Sequence, residues 1–146
     1  MKKFLYTILA LMLVVPALAE DIEIRADQLP EKALKIIRKV FPDGTIKKAN
    51  IERRASLIQY EVKMSGGIKL QFAKDGSFTE CECSKGAVPS QLVPARISAL
   101  ISKEFPDKEI CRIEHDSKLF EITLNDSTEL CFNSSYRLID VDYPAK

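Results

Sequence analysis

Four cysteines carry most of the chemical potential of this 146-residue chain, and they lie at Cys81, Cys83, Cys111 and Cys131. An even number of cysteines in an exported chain favours structural disulfides. The same thiols, with His115, could instead hold a soft metal ion. Thiol redox catalysis typically uses a Cys-x-x-Cys pair at a helix start, and the sequence contains no such pair. Disulfides, free thiols and a metal site therefore remain as alternatives.

Other catalytic chemistry finds little support in the sequence. His115 is the only histidine, and its position between Glu114 and Asp116 near a strand end predicts an exposed side chain. We find no glycine-rich phosphate loop, no nucleophile elbow and no paired metal-binding histidines. The carboxylates are evenly scattered. The sequence therefore predicts a protein that is not an enzyme, with no catalytic residue, no cofactor and no metal site.

The N-terminus has the features of a secretory signal peptide. Lys2 and Lys3 precede an apolar run from Phe4 to Val15, and Ala17-Leu18-Ala19 forms a small-x-small cleavage site. We predict cleavage before Glu20 and a periplasmic or secreted product, with no membrane span after cleavage. Acidic and basic residues are interspersed, without the basic stripe that nucleic-acid binding needs.

The chain is internally repeated. Its elements recur in order, at an offset of 64 residues that later falls to 60. The recurring elements are Leu29-Pro30 with Val93-Pro94, Phe41-Pro42 with Phe105-Pro106, Ile51-Glu52 with Ile113-Glu114, Tyr60-Glu61-Val62 with Phe120-Glu121-Ile122, and Leu70-Gln71-Phe72 with Leu130-Cys131-Phe132. We predict a signal peptide over 1–19, a first repeat over 20–83 and a second over 84–146.

Each repeat is predicted to be one helix followed by four strands. Pro30 and Pro94 suit the first position of a helix, and apolar residues then recur at intervals of three and four. Alternating strands with short turns follow, which favours antiparallel meanders. The predicted strands are Thr45–Arg53, Ile58–Met64, Ile68–Phe72 and a strand around Phe78, then Glu109–His115, Leu119–Leu124, Thr128–Phe132 and Tyr136–Asp142. The fold class is α+β, with each helix on its own four-stranded sheet and the halves sharing an interface or one continuous sheet.

This layout ranks the disulfide pairings. Cys111 and Cys131 would lie two strands apart, about 9–10 Å, beyond the ~7 Å that a disulfide spans. A bridge from Cys81 to Cys83 would be strained. The preferred bridges link Cys81 or Cys83 to Cys111 or Cys131. Cys131 is expected to point away from the helix, and Cys81, three residues after Phe78, is expected to point the same way.

The sheet face away from the helices is predicted to be polar and solvent-exposed. Its side chains are the candidate contacts for a partner. They are Gln59, Glu61, Lys63, Gln71, Glu121, Thr123 and Glu129.

Several segments resemble the PepSY-like, beta-lactamase-inhibitor-like family. They are VFPDGTI, IQYEVKMSGGIKLQFAKDGSF, VPSQLVPARISALISKEFP and KLFEITLNDSTELCF, and together they cover both repeats. The resemblance implies a periplasmic protein built of tandem helix-and-sheet units like those of the beta-lactamase inhibitory protein, with no catalytic residue. The cysteines are not part of the family pattern, and the inhibitor's contact residues match no motif here.

Three function hypotheses follow. The first is an exported, non-enzymatic binding module, in one form an inhibitor, whose open sheet face binds an unknown protein in the periplasm or outside the cell. The alternative is a periplasmic thiol-redox or metal-binding protein that uses its four cysteines. A small-molecule binder in the cleft between the repeats has only the two-unit layout in its favour.

Overall fold

The structure is a computed structural model and describes residues 19–146. The predicted signal peptide therefore lies outside the described residues, except for Ala19. With short 3-10 helices at Ala26–Gln28 and Ser90–Leu92, the described chain forms two α-helices and nine strands. In order these are β1 Ala19–Ile24, α1 Glu31–Val40, β2 Ile46–Arg54, β3 Leu57–Met64, β4 Ile68–Ala73, β5 Phe78–Cys83, α2 Ala95–Glu104, β6 Ile110–His115, β7 Leu119–Leu124, β8 Glu129–Asn133 and β9 Leu138–Asp142.

The strands form a single antiparallel sheet in chain order, β1 to β9. The predicted α+β class and the repeated unit are confirmed, and β2–β9 match the eight predicted strands. The predicted pair of four-stranded sheets, one for each repeat, does not form. β1 adds a fifth strand to the first repeat by pairing with β2, and β5 pairs with β6 across the repeat boundary. The two repeats therefore share one continuous sheet.

Both helices begin and end in the same way. Each follows a proline, Pro30 or Pro94, that lies at the N-cap, one position earlier than predicted. The N–H of Phe41 donates to the Ile37 carbonyl and that of Phe105 to the Ile101 carbonyl, each at 2.8 Å. The proline after each phenylalanine disfavours helical backbone at the preceding residue, so the helix stops there.

The hydrophobic core lies between the helices and one face of the sheet. Phe72 and Phe132, at equivalent positions of the two repeats, are both 0 % exposed. Ile37 of α1 and Ile97 of α2 are the helix residues that pack into this core. The core side chains of the sheet are Ala49, Val62, Met64, Leu70, Phe72, Cys81, Cys83, Ile113, Ile122, Leu124, Leu130 and Phe132.

A β-bulge in β5 overturns one prediction. Phe78 pairs with Phe72 and Glu80 pairs with Gln71, so Thr79 is an extra residue. One extra residue reverses which face each following side chain takes. Cys81 consequently points into the core, where it is 0 % exposed, and not away from the helices.

Candidate functional site

The sheet face opposite the helices, here called the open face, receives side chains from all nine strands. Its members alternate along each strand with the core residues, and acidic side chains outnumber basic ones. The charged members are Asp21, Glu23, Glu52, Glu61, Glu80, Glu82, Glu114, Glu121, Glu129, Asp140 and Asp142, against Lys48, Arg54, Lys63, Lys69 and Arg112.

All seven predicted contact residues lie on the open face. The register pairs Glu61 with Gln71 and Thr123 with Glu129, while Gln59, Lys63 and Glu121 occupy the same face of β3 and β7. The expectation that this face is uniformly wet is wrong.

The difference from the expected exposure is greatest on β3, where Gln59 is only 8 % exposed and the Glu61 side chain is 14 % exposed. Gln59 lies beside Glu52 of β2, and Glu61 lies beside Gln71 of β4 and 3.8 Å from the Lys63 ammonium, so these neighbours shield them from solvent. Lys63 and Glu129 are exposed, as predicted.

A row of carboxylates crosses the middle of the open face. We call Glu61, Glu80, Glu114 and Glu121 the carboxylate row. Successive strand pairs place Glu61 opposite Gln71, Gln71 opposite Glu80, Glu80 opposite Glu114, and Glu114 opposite Glu121. Like charges directly opposite each other on neighbouring strands are destabilising. The row therefore concentrates negative charge at a cost to the fold.

Arg112 offsets part of this cost at the boundary between the repeats. Its Nε donates to Glu80 Oε1 at 3.0 Å, and its guanidinium also donates to the carboxylate of Glu114. Burial opposes the charge of Arg112, but Glu80 and Glu114 hold its pKa above the ordinary value. One guanidinium thus bridges a carboxylate of the first repeat and one of the second.

Two carboxyls of the row are hard to ionise. Burial raises the pKa of Glu80, with Arg112 opposing the shift and Glu114 adding to it. Burial also raises the pKa of Glu121, and Glu114 adds to that shift. Both groups therefore ionise at higher pH than an exposed glutamate.

A second buried carboxylate lies at the β2–β3 end of the open face. Glu52 is 6 % exposed, and its Oε2 accepts a 2.6 Å hydrogen bond from Gln59 Nε2. Burial raises the pKa of Glu52, and the bond from Gln59 opposes the shift.

The sequence analysis did not select Glu52, Glu80, Arg112 or Glu114 as site residues. The repeat pattern matched Glu52 with Glu114, but the register places Glu114, opposite Glu121, at the position that Asn50 holds opposite Glu61.

The His115 side chain is only partly exposed to solvent. Its ring stacks on Phe120 with centroids 5.0 Å apart and contacts Phe78 at 5.6 Å. These aromatic side chains are partly buried against the core. The predicted exposed histidine is therefore a member of an aromatic row on the helix side of the sheet.

The four thiols do not converge on one site. Cys81 and Cys83 share the inner face, with their Sγ atoms 3.9 Å apart, and the Cys111 Sγ donates to the Thr123 carbonyl at 3.4 Å. Cys131 lies on the open face between Glu121 and Asp140. Within residues 19–146, no group of three or more His, Cys, Asp or Glu side chains is arranged to hold a metal ion.

The thiols are poorly ionised. Burial raises the pKa of Cys81, Cys83 and Cys111 above that of a free thiol. Burial and the nearby Glu121 raise the pKa of Cys131 to about 11. Reactive cysteines need a lowered pKa, so the environment does not favour thiol catalysis.

Replacing Arg112 tests its role in holding the carboxylate row. We expect Arg112→Leu to lower the free energy of unfolding by about 3 kcal/mol, because it leaves the recessed carboxyl groups of Glu80 and Glu114 opposite each other without the guanidinium that both contact. Urea denaturation measures the change. Lys69→Leu is the control, since Lys69 pairs with the half-exposed Glu82 at 3.1 Å and its loss costs less than about 1 kcal/mol. Equal losses in the two variants would contradict the bridging role of Arg112.

The raised pKa of Glu121 predicts a pH dependence with a definite sign. Its folded pKa lies above its ordinary value of 4.5, so its contribution to stability is full below that pH and is lost as pH rises through the folded pKa. Glu121→Gln should therefore raise Tm by about 1–3 °C at neutral pH and leave it nearly unchanged near pH 4. Thermal melts at several pH values, with the exposed Glu129→Gln as control, measure this. An increase at pH 4 as large as at neutral pH would exclude the titration of Glu121 as the cause.

Three solved structures that are similar to this chain come from Bacteroides species. A putative calcium-regulated periplasmic protein from Bacteroides thetaiotaomicron is 34 % identical, with a TM-score of 0.81, and the match covers 84 % of this chain and 96 % of that one. A putative periplasmic protein of the DUF2874 family from Bacteroides vulgatus is 33 % identical, with a TM-score of 0.80, and the match covers 84 % and 97 %.

A second putative periplasmic protein from Bacteroides vulgatus, of unknown function, is 27 % identical, with a TM-score of 0.80 and coverage of 84 % and 99 %. No curated protein matches the chain significantly. Neither helix found between residues 19 and 146 has the length and apolar character needed to cross a membrane.

The family model described as putative beta-lactamase-inhibitor-like, PepSY-like matches the chain twice, over residues 18–79 and 58–140. Two matches agree with the two copies of the helix-and-sheet unit. The chain belongs to the PepSY-like, beta-lactamase-inhibitor-like family.

Proposed function

We propose that this protein is an exported, non-enzymatic binding module whose open face binds a positively charged surface of a protein partner. The observation that carries the proposal is the carboxylate row, in which Glu80, Glu114 and Glu121 lie opposite one another on three adjacent strands. Natural proteins tolerate such local costs mainly where a function requires them. A partner that presents lysine or arginine would relieve the repulsion on binding.

The size of the open face fits a protein partner. Nine strands give eight spacings of about 4.8 Å, and strands of about five to six residues are ~17–20 Å long. The face is therefore on the order of 700 Å². A stable protein complex usually buries about 800 Å² on each partner.

The arrangement of charge also supports recognition of a partner. The recessed centre of the face holds Glu61 and Glu80, while Lys63 and Glu129 are exposed to either side. Complementary charge of this kind mainly sets the association rate and the choice of partner. Binding should therefore weaken as the salt concentration rises.

The family description supplies a narrower form of this proposal. A beta-lactamase-inhibitor-like protein would act by covering an enzyme, and the open face is the surface available for that role. The structural relatives are described as periplasmic, which agrees with the proposed export. Binding to a partner is the general proposal, and inhibition of a periplasmic enzyme is one form of it.

The thiol-redox or metal-binding alternative has weaker support. Cys131 lies on the opposite face of the sheet from Cys81 and Cys83, and burial disfavours the thiolate that catalysis or metal binding requires. The cysteines are therefore better explained by structural roles.

Charge reversal on the open face tests the proposed function. The triple variant Glu61→Lys, Glu121→Lys and Glu129→Lys should lose at least tenfold in affinity for proteins that the unchanged chain retains from periplasmic extract. Binding is measured by quantitative affinity capture and then by titration with each purified protein. A purified periplasmic beta-lactamase, assayed with a chromogenic substrate, shows whether inhibition is part of the function.

The matched control makes the same change of charge on the helix side. Glu31→Lys, Glu104→Lys and Asp107→Lys replace exposed carboxylates there and should leave capture unchanged. Circular dichroism checks that both variants are folded. If the two triple variants retain the same proteins with the same affinity, the open face is not the binding surface.

A further inference from the structure

We propose that Cys83 and Cys111 form a disulfide that joins β5 of the first repeat to β6 of the second. The last pair of the β5–β6 ladder is Glu82 with Arg112, and the next residue on each strand is Cys83 and Cys111. Residues opposite each other in an antiparallel pair have Cα atoms ~4.5–5.5 Å apart. A disulfide requires about 4.4–6.8 Å. Continuing the register by one residue on each strand therefore brings the two Cα atoms within the range that a disulfide requires.

The thiols of Cys83 and Cys111 are close to each other. Cys83 is 5 % exposed within the core, on the inner face of the sheet. Cys111 lies between Ile110, which packs against the core, and Arg112 on the open face, and its thiol is near enough to Cys83 to add to the raised pKa of that cysteine. Cys111 is also the extra residue of a β-bulge, with no residue of β7 opposite it. After β5 the chain stays close to β6, because the Val88 N–H donates to the Ile110 carbonyl at 2.8 Å.

The other two cysteines fit this pairing less well. Cys81 lies opposite Leu70 and Ile113, so no cysteine lies directly across from it on either neighbouring strand. Its Sγ is near that of Cys83, but two residues along one strand are about 6.6 Å apart, at the upper limit for a bridge. Cys131 is three strands from β5 and faces the other side, so the predicted bridges to Cys131 are out of reach.

The bridge forms by thiol–disulfide exchange while the exported chain is folding, before burial raises the pKa of these thiols. One thiolate attacks a sulfur of a dithiol-type protein disulfide or of oxidised glutathione, and a mixed disulfide forms as the first thiol of the oxidant leaves. The second cysteine then displaces the remaining thiol. The chain loses two electrons and two protons, and the oxidant is reduced to two thiols.

Such a bridge would fix the boundary between the repeats. It would close a loop between Cys83 and Cys111, and closing a loop of this length restricts the unfolded chain. We expect Tm of the oxidised protein to be about 10 °C above that of the reduced protein. The in-cell form of this inference rests on the proposed export, whereas refolding of the purified protein tests it independently of export and of partner binding.

The test is to refold the purified chain with a mixture of reduced and oxidised glutathione and then to alkylate it in denaturant without reductant. Two thiols should react. Cleavage after Glu82 separates Cys81 from Cys83, so mass spectrometry of the peptides identifies the linked pair. The same mapping on protein purified from the periplasm of an expression host tests the in-cell form.

Single substitutions complete the test. Cys81→Ser and Cys131→Ser should keep the bridge and the raised Tm, whereas Cys83→Ser and Cys111→Ser should lose both. Melting of each variant with and without reductant distinguishes loss of the bridge from a packing defect. Four reactive thiols after refolding, or any linked pair other than Cys83 with Cys111, would overturn the proposal.

Discussion

The pairing of β5 with β6 is the constraint on which the rest of the structure depends. A unit of roughly 60 residues buries too little surface to be robust alone, and this pairing lets two such units share one sheet. The same pairing forces Glu80 of the first repeat against Glu114 of the second. Arg112 offsets the repulsion between these two carboxylates, because it lies on the same face and donates to both of them. The fusion of the repeats and the acidic character of the open face are therefore two results of one contact.

Duplication explains why the two faces of the sheet differ so strongly. The helix side repeats faithfully, with Phe72 and Phe132 fully buried at equivalent positions and Ile37 and Ile101 above the sheet. The open face keeps one part of the pattern, since Glu61 recurs as Glu121 on the equivalent strand. Fusion in chain order then sets these equivalent charges into one row across the sheet. A surface that would be two small polar patches on separate repeats becomes one continuous acidic face.

The local sequence pattern predicted the elements that depend on residues close together in the chain. The helices followed from apolar spacing and flanking prolines, and eight strands followed from alternation and turn residues. β1 was not predicted, because Ala19–Ile24 is a short edge strand with no hairpin turn next to it and adjoins the predicted cleavage site. The direction of Cys81 was wrong because the bulge at Thr79 depends on pairing with β4, which has no simple sequence signal. The contact residues were placed on the correct face, but their burial depends on which side chains the strand register sets beside them, such as Glu52 beside Gln59.

The central claim is that the two repeats form one cooperative sheet with one open face. Native-state hydrogen exchange of backbone amides along β5 and β6 tests it most directly, because local separation of the repeats would expose those amides without global unfolding. The account predicts that the ladder amides of Cys81 and Ile113 exchange with the same high free energy of opening as those of Leu70 and Ile122, which lie inside the two repeats. Opening of the β5–β6 ladder at a free energy several kcal/mol lower than that of the interiors would contradict it.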